Sequence, residues 1–349
     1  MAEVGFGIVG CGVIAPIHAQ SIVEIDGAHL VAVADVVERN AQLLTERFPA
    51  EVYSDYREMI QRDDVHAVCL CVPSGRRAEI AEACAQAGKH ILSEKPLEIS
   101  TERIDRIVTA ADKAGVRLGC VFQSRFAEGS RRVRAALDAG RFGKLVLGDA
   151  YVKWFRSQDY YESGAWRGTK RLDGGGALMN QGIHQVDLLL SFMGKVKSVQ
   201  ARTALIGHTG LEVEDLACAI LEYENGAMGV IEASTAIWPG HRARVEVHGT
   251  QGSAVLEDGE LRFWQFHEEA DEDEAIRANL DKEADLGSGA GDPISSLKHE
   301  GHRRQIEDFV CAIVEDRPPA VDGREARHAV ELIEAIYRSS DTGRPVPLT

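Results

Sequence analysis

Six residues near the start of the chain restrict its possible folds more than any other feature. Gly10-Cys11-Gly12-Val13-Ile14-Ala15 follows directly on an apolar run, Val4–Val9, and leads into an amphipathic stretch. This is G-x-G-x-x-A at a strand-to-helix turn, where a dinucleotide-binding βαβ unit carries its phosphate loop. Gly10 permits the tight turn, Gly12 lets backbone approach a pyrophosphate, and Ala15 allows the helix to pack closely on the strand. Val13 and Ile14 open that helix, whose N-terminus faces the phosphates. Asp35 lies twenty positions beyond Ala15, where a carboxylate accepts hydrogen bonds from the adenosine ribose and repels a 2′-phosphate. NAD is therefore expected over NADP, with nearby Arg39 leaving room for some NADP tolerance. A competing role for Asp35 is to cap the next helix.

The pattern around this motif predicts the rest of the first domain. From Val4 to about Cys120, apolar runs alternate with amphipathic stretches, the rhythm of a parallel sheet covered on both faces. Strands are expected at Val4–Val9, Leu30–Ala34, Ala67–Val72, His90–Ser93 and Arg117–Val121, and helices at Ile17–Glu24, Arg39–Phe48, Arg77–Ala87 and Thr101–Ala114. After a helix at Arg131–Ala139 the period shortens to two, across Lys144–Phe155, Ser198–Ile206, Cys218–Tyr223, Ala227–Ser234 and Arg242–His248. That period marks strands solvated on one face. Helices at Ala177–Met193, Gly301–Glu315 and Gly323–Ser339 complete the reading, with solvated loops at Glu268–Glu274 and Gly287–Gly291. The fold class is a Rossmann doubly wound parallel sheet over 1–122, then an α+β domain with a largely antiparallel open sheet over 123–349.

A chain of 349 residues exceeds what one core usually supports, so two domains agree with its length. Its formal net charge of −16 repels a phosphate backbone, which argues against nucleic acid as a partner. No apolar run approaches the roughly 20 residues of a membrane span, and Glu3 opens the chain without the basic flank of a signal peptide. The expectation is a cytoplasmic protein with no membrane partner. Cys11, Cys69, Cys71, Cys84, Cys120, Cys218 and Cys311 make no C-x-x-C pair, so they read as reduced, mostly buried thiols.

Two further stretches carry chemistry. Glu94-Lys95-Pro96 ends the His90–Ser93 run, placing Lys95 at the carboxyl edge of the sheet, where open α/β sheets form their ligand crevice. Pro96 holds Lys95 out of helical backbone geometry. Gly174-Gly175-Gly176 leads into a helix on which Asn180, His184 and Asp187 stand at i, i+4 and i+7, a polar face beside Leu188, Leu189 and Leu190. Alone, each stretch reads as an ordinary surface lysine or structural histidine; together they point to one pocket.

The fingerprint, the Glu94-Lys95-Pro96 triplet and the Gly174–Asp187 block together resemble the glucose-fructose oxidoreductase / inositol dehydrogenase / rhizopine catabolism family over almost the whole chain. The resemblance implies that Lys95 and His184 sit beside nicotinamide and substrate. By it, Val72-Pro73-Ser74 and Glu94 line the nicotinamide side, Gln123 and Arg125 belong to a junction segment, and Trp166-Arg167 folds over the cofactor. Two departures stand out. Asn180 replaces an aspartate common in the family and cannot take a proton, and Arg77 stands where the family has a histidine, so no role is assigned to it.

The expected reaction oxidises a secondary hydroxyl of a polyol or sugar, with Lys95 as acid/base, His184 assisting, and Arg125 and Asn180 on the substrate. Lys95 ordinarily titrates near 10.4 and needs desolvation or a neighbouring positive charge to act at neutral pH. Tyr160, Tyr161 and Trp166 offer flat surface to a sugar ring, and Lys153, Arg156 and Arg167 offer charge to a carboxylate or phosphate. Alternatives are a nucleotide-sugar dehydrogenase, an NAD-recycling glycoside hydrolase, a non-catalytic NAD-binding regulator, or a metal enzyme using His184 and Asp187 with His299 or His302. No metal is expected under the favoured reading. A homodimer or homotetramer is expected through the second sheet.

Overall fold

The computed structural model describes residues 3–280 and 299–348. The expected Gly287–Gly291 loop lies outside them. The chain forms two compact units: Met1–Gln123 with Arg171–Gly174 and His299–Arg327, and Ser124–Lys170 with Gly175–Lys298 and His328–Thr349. A single division after residue 122 misses the return of His299–Arg327 to the first unit.

The first unit runs β1 (Val4–Val9), α1 (Ala15–Val23), β2 (Ala28–Ala34), α2 (Glu38–Thr45), β3 (Glu51–Tyr53), α3 (Tyr56–Met59), β4 (Ala67–Leu70), α4 (Arg77–Gln86), β5 (His90–Ser93), α5 (Thr101–Ala114) and β6 (Leu118–Cys120). Its six strands lie in the order β3-β2-β1-β4-β5-β6, all in parallel register. Central β1 is buried along its whole length, as a strand covered on both faces must be. Ser100 caps α5 by accepting from the Arg103 N–H, and Gly115 ends it at φ 68°. Three-residue β3 escaped the sequence reading because Glu51, Val52 and Tyr53 show no apolar run.

The sheet packs on a core of Phe6, Ile8, Ile22, Leu44 and Leu92, joined by Ile306, Phe309 and Val310. The last three come from a helix (Glu300–Val314) that packs against α1. Gln305 ties it down: its Nε2 donates to the Cys120 carbonyl and its Oε1 accepts from the Phe122 N–H.

The second unit holds α6 (Glu128–Asp138), β7 (Leu145–Lys153), α7 (Gln158–Glu162), α8 (Ile183–Met193), β8 (Val196–Ala204), β9 (Leu216–Tyr223), β10 (Met228–Ser234), β11 (Arg244–Gly249), β12 (Gly252–Glu257), β13 (Glu260–Phe266) and α9 (Asp273–Arg277). In chain order there follow the helix already described, now α10, then α11 (Gly323–Thr342) and β14 (Val346–Pro347). The sheet order is β13-β12-β11-β7-β10-β9-β8-β14. Every pair is antiparallel except β10 with β7.

Three expectations change here. β12 and β13 form a hairpin outside the anticipated strands, joined by Asp258 and Gly259 at φ 49° and 86°, the backbone that two-residue hairpin turns need. Glu268–Glu274 is not wholly solvated: buried Asp273 accepts from Trp264 Nε1 at 2.7 Å and from Arg141. The expected single helix over 177–193 opens as a π turn, Ala177–Gly182, before becoming α-helical.

Candidate active site

The strand order reverses between parallel neighbours β1 and β4, whose following connections run to β2 on one side and to β5 on the other; doubly wound sheets hold ligands at the carboxyl ends of such a pair. β1 delivers the glycine turn there. Gly10 has φ +91°, and a Cβ on it would stand 2.8 Å from the Cys71 carbonyl oxygen. Only glycine tolerates both conditions. At Gly12 an added Cβ would meet no atom of the described residues within 4 Å. Ala15 is fully buried beneath this turn, Val13 is 60% exposed, and Ile14 caps α1 without a side-chain hydrogen bond. Backbone donors at a helix N-terminus with open space above a glycine suit a pyrophosphate.

Asp35 takes a structural part as well. Its Oδ2 accepts from the Cys11 N–H and its Oδ1 from the Val37 N–H, both at 2.7 Å. Val37 is itself the N-cap of α2, so Asp35 does not cap that helix in the usual way, through the N–H groups of its first turn. It braces the glycine loop instead, and a carboxylate with about four acceptor sites can still receive a ribose hydroxyl. Arg39 is exposed in the first turn of α2.

At the end of β4, Val72 and Pro73 are half-buried and Ser74 is buried. Arg77, to which the sequence assigned nothing, organises this edge. It is buried; its Nε donates to the Val72 carbonyl at 3.0 Å, and its Nη1 donates to the carbonyls of Glu94, at 2.7 Å, and Pro96. One guanidinium thus fastens the loop after β4 to the loop after β5. Glu94 is buried and Lys95 half-buried. The Lys95 N–H donates to Glu94 Oε2 at 3.1 Å, while Glu94 Oε1 lies 2.9 Å from His18 Nε2 and 3.6 Å from His302 Nε2. Neither histidine was expected here. His18 stands three residues past Ala15, on the face of α1 turned to the sheet, the one signal that could have found it. Gln123 lies half-buried just past β6.

In the second unit Gly175 and Gly176 serve packing. Cβ atoms on Gly175 and Gly176 would strike the Tyr337 hydroxyl and the Glu214 carbonyl. The buried Glu214 carboxylate accepts from the N–H groups of Gly176 and Leu178 and from the Tyr337 hydroxyl, and burial holds its pKa above the usual carboxylate range. Asn180 and His184 are half-buried. Because Asn180 sits in the π turn and His184 in α8, the i, i+4 spacing does not stack them as one regular helix would.

Several polar expectations change. Arg125 Nε and Nη2 both donate to the buried Asp187 carboxylate at 2.7 Å, a bidentate pair that engages its fork. Tyr161 is buried, its hydroxyl 2.7 Å from Thr235 Oγ1, so it is core and not ring-binding surface. Lys153 pairs with Glu232 on the sheet. Tyr160 receives a hydrogen bond from Gln181 Nε2, and the Arg167 guanidinium stacks on Tyr160 and Trp166 at 4.7 and 4.9 Å. Of the groups in the metal alternative, Asp187 serves Arg125 and His299 pairs with Glu24, while the polar atoms of His302, His18 and Glu94 lie within 4.8 Å of one another.

Comparison with known proteins follows the same division. A family model described as an oxidoreductase family with an NAD-binding Rossmann fold matches residues 4–122, and the GFO/IDH/MocA C-terminal domain matches residues 130–255. The WlbA dehydrogenase of Bordetella pertussis, solved with NADH and UDP-GlcNAcA, is 33% identical with a TM-score of 0.89, over 100% of this chain and 98% of that one. The myo-inositol 2-dehydrogenase of Thermotoga maritima is 29% identical over 98% of both chains, and the uncharacterized oxidoreductase YrbE of Bacillus subtilis is 30% identical over 72% of this chain and 73% of its own. Fingerprint, strand order and both family models agree, and the chain belongs to the GFO/IDH/MocA family of NAD-binding oxidoreductases.

Proposed function

We propose that the protein is an NAD-dependent dehydrogenase that oxidises a secondary hydroxyl of a sugar, sugar acid or cyclitol, with Lys95 as acid/base and His184 assisting. Bound NAD supplies the hydride acceptor. The observation that carries the reading is the immobilised backbone around Lys95 at the carboxyl edge of β5. With the carbonyls on either side of it held by Arg77 and its own N–H held by Glu94, the ammonium is presented from fixed backbone, as an acid/base group must be. Gly10, Gly12, Val13, Ile14 and Asp35 would hold the adenosine and pyrophosphate, with Val72, Pro73, Ser74, Glu94, Gln123, Trp166 and Arg167 toward the nicotinamide. Asn180 would orient the substrate.

Lys95→Ala should lower turnover by about 10²–10⁴-fold, the range of a lost acid/base group, while NAD titration gives an unchanged dissociation constant. Wild-type turnover in that variant would refute the role. Inositols, aldoses, sugar acids and nucleotide sugars tested with NAD and NADP identify the substrate class. Net NADH formation from a free polyol separates a dehydrogenase from a hydrolase that recycles its cofactor.

A second reading, a nucleotide-sugar dehydrogenase, is favoured by the WlbA proteins of Bordetella pertussis and Chromobacterium violaceum, 33% and 31% identical and both solved with UDP-GlcNAcA. We also infer pairing of chains through the second sheet. Leu147, Tyr151, Cys218, Ile220, Met228 and Val230 share one face by register, and Ile220 and Met228 are 55% and 54% exposed there.

A further inference from the structure

We propose that His18, Glu94 and His302 form a buried positioning cluster for Lys95, in which the Glu94 carboxylate anchors the Lys95 main-chain N–H and the two imidazoles orient that carboxylate and balance its charge. The inference rests on the reading of Lys95 as acid/base. Its basis is geometric. One carboxylate spans two tasks: Oε2 takes the Lys95 N–H at 3.1 Å, and Oε1 faces two imidazole Nε2 atoms at 2.9 and 3.6 Å. The histidines arrive from α1 and α10, their rings edge to face with centroids 5.7 Å apart, and all three side chains are nearly or fully buried.

Burying three ionisable groups is costly, and such clusters contribute little net stability compared with apolar packing of the same volume. The contact with Lys95 supplies another reason for this one. Around the carboxylate stand His18 on α1, His302 on α10, Cys71 just beyond β4, Arg77 on α4 and Lys95 itself, with Cys69 on β4 beside His18. Burial alone would raise Glu94, but His18 and His302 outweigh it and hold the carboxyl well below its usual range. Burial likewise opposes protonation of His18, yet Cys71, Cys69 and Glu94 reverse that and hold it well above the histidine norm. Since burial keeps Cys71 a thiol, the charge that matters for His18 at neutral pH is Glu94. His302 is held down by burial and, despite Glu94, by the positive charges of His18 and Lys95. The cluster is thus one carboxylate, one imidazolium and one neutral imidazole. The Lys95 ammonium lies close enough for His302 to feel it.

The charge balance gives a signed test. In the double Gln variant the amide donors, Arg77 and Lys95 keep the carboxylate ionised, but no imidazolium balances it, and that favours protonated Lys95. In His18→Gln/His302→Gln, competitive acetylation of Lys95 with acetic anhydride, read by mass spectrometry in the full chain, should show a reactivity midpoint about one pH unit above wild type. Glu94→Gln removes carboxylate and imidazolium charge together and keeps a carbonyl acceptor for the Lys95 N–H, so it should show no upward shift and lose less turnover than Glu94→Ala. Glu94→Ala loses that acceptor; its kcat should fall about 10–100-fold, as when a supporting residue is lost. An unshifted midpoint in the folded double variant would overturn the proposal, as would equal loss in Glu94→Ala and Glu94→Gln, or stoichiometric zinc in the purified protein. Should Glu94→Ala not fold, the labelling contrast between Glu94→Gln and the double variant decides alone. An inactive Lys95→Ala beside wild-type behaviour in the cluster variants removes only this inference; an active Lys95→Ala removes the acid/base reading beneath it.

Discussion

At the scale of the residue, Gly10 and Gly12 separate folding from binding. A side chain at Gly10 meets both an unfavourable φ and the Cys71 carbonyl, so its glycine is needed whether or not a ligand is present. Gly12 has open space above it. Gly12→Val should therefore change unfolding free energy by less than about 0.5 kcal/mol, as an ordinary surface substitution does. The same change fills the space proposed for the pyrophosphate. NAD affinity measured by calorimetry should fall at least about tenfold, or about 1.4 kcal/mol, and unchanged affinity would move the cofactor elsewhere. Arg77 shows the opposite limit, since its three carbonyl partners give it a large part in holding the edge together.

Among the elements, the β12–β13 hairpin contains a titratable fault. Asp258 sits at φ 49°, and its Oδ1 accepts from the Ala243 N–H at 3.0 Å. Its Oδ2 is buried without a hydrogen-bond partner among the described residues. Burial raises this carboxyl to about 6. A folded-state value above the unfolded one means that the folded chain holds the proton more tightly, so stability is lost as pH rises through about 6. Asn tolerates positive φ and carries no charge to bury. Asp258→Asn should stabilise the protein by about 1 kcal/mol above that pH, with the gain vanishing below about pH 4, where Asp is neutral in both states. Urea midpoints at the two pH values check it; an equal gain at both would assign the effect to backbone conformation instead. The π turn before α8 belongs to this scale too, because it places Asn180 and His184 by a wider turn than α-helical spacing provides.

For the whole molecule, the open face of the second sheet carries the expectation of assembly. Ile220 and Met228 stand exposed among Tyr151, Lys153, Glu232, Arg244 and Glu246 on the same face, the mixture of apolar centre and polar surround common at interfaces. Ile220→Glu/Met228→Glu should convert an oligomer to a monomer in sedimentation while the thermal transition of NAD binding in the first unit persists. A mass unaltered by both charges would place any interface on another surface.

Local features settled much of this protein by sequence alone. The fingerprint, the exact extents of β1, β5 and α5, and the change from a helix-and-strand rhythm to a period of two all arise from neighbouring residues, and propensity and burial pattern act over just such distances. The Asp258-Gly259 turn was equally available and went unread. Tertiary structure alone decided which polar groups meet. Arg77 holds carbonyls up to nineteen residues away, Arg125 is taken by Asp187 across sixty-two, and His302 returns from the far end of the chain to the carboxylate beside Lys95. A buried charge selects partners by proximity in three dimensions, because only a nearby group can replace the water it has lost.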